Sequence, residues 1–138
     1  MKTLTFTAAI SILAGSVALA QDATMVPMVE ASDQSVTNGI VSADKVVAPA
    51  NGWMVVHRTD DQMKPGPVVG YAPIRMGETS DVAAILTEDV ASGDMLMLMV
   101  HGEDGGSTTG AFEYTLGAKE DGPIRVDDKL VMATITAQ

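Results

Sequence analysis

The chain has 138 residues, 18 acids against 8 bases, a formal net charge of −10 and no cysteine. So acidic a surface repels nucleic acid and anionic lipid, where binding rests on Lys and Arg contacts to phosphate. The missing cysteine excludes disulfides, thiolate metal sites and thiol catalysis.

The N-terminus sets the expected compartment. Lys2 precedes an apolar run, residues 8–20, interrupted only by small residues and closing on Ala18-Leu19-Ala20. That is the pattern of a secretory signal peptide, and it falls short of the roughly 20 apolar residues of a membrane span. Cleavage after Ala20 removes one base and no acid, leaving 118 residues with a net charge of −11. The expectation is a periplasmic or secreted protein with no membrane insertion after cleavage. Residues 1–20 form the signal peptide, 21–33 a short N-terminal arm, and 34–138 a single domain, a size suited to one core.

The arm carries Met25-Val26-Pro27-Met28, a loose segment or an edge strand in which Pro27 limits pairing. From Gln34 onward, short β runs alternate with Gly, Pro, Asn and Asp. Residues 35–42 and 45–48 are the first two strands expected. Asn51-Gly52 follows, the dipeptide most typical of a tight hairpin. The next strand, residues 52–58, sets Trp53, Val55 and His57 on one face and Met54, Val56 and Arg58 on the other. After a polar loop, residues 68–73 are extended, with Gly70 and Pro73 marking a bend or an edge. Residues 77–80 read as a turn into a strand over 81–87. A second acidic loop, residues 88–93, leads to the most distinctive stretch.

That stretch, residues 94–101, interleaves two apolar rows. Leu96, Leu98 and Val100 point one way; Met95, Met97, Met99 and His101 point the other. A half-wet strand would alternate with polar residues, so this one is covered on both faces or offers a methionine stripe to a partner. The acidic glycine loop 102–110 follows, then Ala111-Phe112-Glu113-Tyr114, a loop over 116–123 and a last strand over 130–136. Seven or eight short strands with regular turns and no convincing helix predict an all-β, immunoglobulin-like antiparallel sandwich.

Asp33-Gln34, Gly52-Trp53-Met54-Val55-Val56-His57, Gly66-Pro67, Gly70-Tyr71-Ala72-Pro73, Met99-Val100-His101, Phe112-Glu113-Tyr114 and Asp121-Gly122-Pro123 occur in this order. In these phrases the chain resembles an uncharacterised, secreted, β-rich domain family of archaeal surface proteins and bacterial envelope proteins. The resemblance spans residues 33–136 and implies a small β-rich fold, with no activity attached. The chain departs from the family pattern over residues 105–110, with extra Gly, Ser and Thr, and in its methionine content.

His57 and His101 are the only histidines, each closing an apolar strand. With neighbouring strands about 4.8 Å apart, paired strand ends would bring both imidazoles to one ion. Imidazole plus thioether, from His57, His101, Met99 and Met97, is a ligand set suited to copper; the competing reading is ordinary packing, since methionine fills irregular core gaps. Glu103, Asp104 and Glu113 make a weaker case for calcium, because acidic turns are ordinarily solvated and their spacing is not that of a calcium loop. The paired acids Asp60-Asp61, Glu120-Asp121 and Asp127-Asp128 read as solvated turns, and no catalytic motif is present. The chain therefore reads as a non-enzymatic envelope module needing no cofactor, with the methionine face and the His-capped strand ends as its contact surface for an unidentified protein partner. A periplasmic copper-binding protein is the second reading.

Overall fold

The structure is a computed structural model that describes residues 25–138; the expected signal peptide, residues 1–20, lies outside them. Among the described residues, nine strands account for the regular structure: β1 (Met28–Glu30), β2 (Ile40–Ala48), β3 (Gly52–Thr59), β4 (Val68–Ile74), β5 (Gly77–Leu86), β6 (Met95–Gly102), β7 (Arg125–Val126), β8 (Lys129–Leu130) and β9 (Met132–Thr136). Seven pair antiparallel in the order β1-β2-β5-β4-β3-β6-β9. The groups β1-β2-β5-β4 and β3-β6-β9 are those of an immunoglobulin-type sandwich. Here β3 and β4 also hydrogen-bond along six register positions, from Gly52↔Ile74 to His57↔Val68, so the two halves form one curled sheet. The all-β, immunoglobulin-like expectation holds.

The curl nearly closes through the phrase Asp33-Gln34. Asp33 accepts a hydrogen bond from the Thr136 amide at 2.7 Å, and Gln34 bridges to Ala137. The Gln34 side chain also donates to the Ser42 carbonyl and accepts from the Ser42 amide, both at 2.8 Å, which stitches the seam to β2. The segment expected as a short N-terminal arm, a loose stretch or an edge strand, joins the sheet within its described residues. Met28–Glu30 pairs with Lys45–Val47 as the edge strand β1, just after Pro27, where a missing amide does no harm.

The main core fills the inside of the curl: Val41, Ala43, Val46, Met54, Val56, Val69, Val82, Ala84, Leu96, Leu98, Val100 and Ile135 are all buried there. Two local expectations fail for one physical reason each. Asn51-Gly52 makes no hairpin, because β2 pairs with β1 and β5, never with β3. The Asn51 side chain instead accepts from the Met76 amide at 2.9 Å, and a Cβ on Gly52 would run into the His101 carbonyl oxygen. Glycine is required there by close approach of two backbones, not by a left-handed turn. Residues 77–80 are strand rather than turn. Both β2 and β5 change their inward parity where Asp44 passes Asp81, which adopts φ 53°, so Val41 and Ala43 face inward before the break and Val46 and Ala48 after it. A two-residue repeat cannot be read through such a switch.

Candidate functional site

The outer face of β3 and β6 carries a second, smaller packed layer. Register sets Trp53 opposite His101, Val55 opposite Met99 and His57 opposite Met97, so these six side chains share that face. All six are buried, yet none belongs to the main core. The long connection 103–124 lays Phe112 and Tyr114 against Trp53, His57 and His101 of this layer. Tyr114 stands edge-on to His101 at 4.6 Å and to His57 at 5.8 Å between ring centres. Trp53 meets Phe112 at 5.5 Å and Tyr71 at 5.8 Å, both edge-on.

Carboxylates fasten this cover. Glu103 accepts from the Trp53 indole at 2.7 Å through one oxygen and from the Gly110 amide at 2.7 Å through the other. Glu113 accepts from the Ser107 hydroxyl and the Thr108 amide. Those bonds hold its carboxyl below the usual carboxylate range. Asp121, 1% exposed, accepts from the amides of Asp104 and Glu113. Of the acids considered for calcium, Glu103 and Glu113 thus accept from donors of their own loop, and Glu103 also ties that loop to Trp53 of β3.

His57 and His101 do meet, though not as paired strand ends. Because β3 and β6 are antiparallel, the two residues sit four register steps apart on the shared ladder, with the Val55–Met99 pair between them. Their side chains lean toward each other until the Nε2 atoms lie 3.3 Å apart. The ring centres are 5.3 Å apart and the planes inclined 28°. The Nε2 atoms are far closer than the centres, so the rings meet head to head through those nitrogens. Each Nδ1 is anchored behind: His57 donates to the Gly66 carbonyl at 2.8 Å and His101 to the Asp121 carbonyl at 2.7 Å. Carbonyl oxygens only accept, so both Nδ1 atoms carry the hydrogen. Burial pushes both imidazoles below their ordinary pKa, and His101, which also feels His57, falls to about 4.

The methionine row is covered rather than presented. Met97 is 0% and Met99 1% exposed, on the same face as the histidines, which is the two-sided burial the paired rows imply. Among the described residues, no group of three or more His, Asp or Glu gathers as a metal-ligand cluster.

Residues that sequence reasoning left unassigned complete the site. Gly66 and Asp121 supply the anchoring carbonyls, and Arg58 ties the acidic loop 88–93 to β3 through Glu88, Asp94 and the Asp89 carbonyl. The only early signal for Gly66 and Asp121 was their place in the phrases Gly66-Pro67 and Asp121-Gly122-Pro123, which end beside the two imidazoles. Next to this layer lies an open groove of about 860 Å³ whose walls include Trp53, Tyr71, Arg75 and Phe112.

Comparison with curated proteins gives no match, and comparison with solved structures gives none. Comparison with protein families does: over residues 27–138 the chain matches, and belongs to, the domain-of-unknown-function family DUF7282.

Proposed function

We propose that this protein is a non-enzymatic, exported binding module that meets a protein partner through the uncovered part of its outer sheet face. One observation carries the reading. A single cross-strand row, Ile40–Ile85–Tyr71–Val55–Met99–Met132, runs across six strands. Val55 and Met99 are buried, whereas Ile85 is 75%, Tyr71 45% and Ile40 39% exposed. Three large apolar side chains in register, beside an aromatic-walled groove, form the kind of contiguous patch that marks an interaction surface. The surrounding charge, −11 once the leader is removed, favours a partner with a basic rim. Export rests on the leader pattern of residues 1–20.

Site-specific photo-crosslinking in the producing cells tests this. A crosslinking side chain at position 85 or 71 is expected to trap a discrete protein adduct, while one at exposed Asp61 traps none. Absence of any adduct from both positions, with the protein folded and exported, overturns the reading.

A further inference from the structure

We propose that His57 and His101 form a buried site for one soft monovalent metal ion, copper in its cuprous state, held between their two Nε2 atoms. The site is independent of the outer-face contact surface.

A neutral imidazole carries one N–H. Here both are committed at Nδ1, to the carbonyls of Gly66 and Asp121. Each Nε2 is left with a lone pair, and the two face one another across 3.3 Å in a place water does not reach, with His57 0% and His101 1% exposed. Two lone pairs make no hydrogen bond; a positively charged atom between them satisfies both.

The shape of the gap selects among ions. Metal–imidazole bonds run about 2.0 Å, so a two-coordinate ion between head-to-head rings needs nitrogens about 4.0 Å apart. Each ring has to recede by only a few tenths of an ångström from its present position. Cuprous ion accepts two nearly collinear nitrogens. Zinc asks for four ligands, and no third His, Asp or Glu among the described residues joins the pair. Calcium and magnesium ask for several oxygens, which this aromatic layer does not offer. Met99 stands on the same sheet face at the register step between the histidines, and thioether surroundings favour the cuprous state. A proton is the rival occupant, and burial without a coordinate bond opposes it.

The test uses the purified full-length protein labelled with nitrogen-15 at histidine, under anaerobic conditions. Cuprous ion is supplied as its acetonitrile complex against a chromogenic cuprous chelator, with silver(I) in a parallel arm. The expected result is one equivalent bound, with both Nε2 resonances shifted and both Nδ1 still protonated. His57→Gln and His101→Gln variants that keep the wild-type circular dichroism are expected to lose binding against the chelator. Three results overturn the proposal: Nε2 resonances unmoved at one equivalent, a third proton already present on the pair at pH 7, or wild-type affinity in both folded variants. The first is read on the wild type alone, so misfolded variants leave the proposal open to refutation.

Discussion

Trp53 links the sheet to its cover, and its truncation gives the sharpest stability test. The side chain is 7% exposed and stands edge-on to the packed pair of Tyr71 and Phe112, with its indole N–H donated to Glu103 at 2.7 Å. Truncating a large buried aromatic costs about 3–5 kcal/mol, since the vacated space is only partly refilled. Trp53→Ala is expected in that range. The indole bond can be separated from the packing with Trp53→Phe, which keeps a ring and removes the donor. A hydrogen bond to a charged acceptor contributes about 1.5–3 kcal/mol, and partial exposure of Glu103 favours the low end. Glu103 keeps its Gly110 donor in both variants, so no carboxylate is left wholly unpaired. Urea unfolding at pH 7, followed by far-ultraviolet circular dichroism because the only tryptophan is being removed, gives both differences. A Trp53→Ala loss below about 1 kcal/mol, typical of surface positions, refutes the buried outer layer. Equal losses for Ala and Phe refute the division between packing and hydrogen bond.

Metal-free protein should lose stability on acidification. The folded state lowers the His101 pKa from 6.5 to about 4, so it favours the neutral ring; the stabilisation is complete above pH 6.5 and disappears as pH falls toward 4. One group shifted that far contributes up to about 3 kcal/mol, checked by urea midpoints across that range against His101→Gln, where the slope should shrink. A midpoint that rises toward pH 4 contradicts the buried neutral pair. Gly52→Ala drives a methyl group into the His101 carbonyl, with only backbone to give way, and is expected to cost about 1–3 kcal/mol in the same unfolding assay. Asp121→Asn sets an amide group among donors that need an acceptor; a loss of about 1–3 kcal/mol should come with faster amide exchange at Asp104 and Glu113. Ile85→Ser, on the uncovered row, should shift stability by no more than about 0.5 kcal/mol, read by thermal melting.

The sequence alone determined the strand-rich class, most strand positions and the two apolar rows of β6; that both rows are covered was decided by the tertiary structure. Those properties are periodic and local: alternation along Leu96–Val100 and Met95–Met99 sets two apolar rows on opposite faces whatever surrounds them. The turn at Asp127-Asp128 was equally legible, since φ of 49° and 63° at both central positions is the geometry that Asp tolerates between β7 and β8. Everything that builds the site was decided by tertiary structure. Asn51-Gly52 carries the local signature of a hairpin, yet strand order sends β3 to β4 and β6, and the glycine serves a backbone contact with His101. His57 and His101 looked alike in sequence, but antiparallel pairing put them four register steps apart, and only side-chain reach brought their nitrogens together. The carbonyls that orient them come from Gly66 and Asp121, loop atoms that any residue supplies and no side-chain pattern reveals. Side-chain periodicity records which way a residue faces; it holds no information about which backbone oxygen, 9 or 20 residues away, will face it in turn.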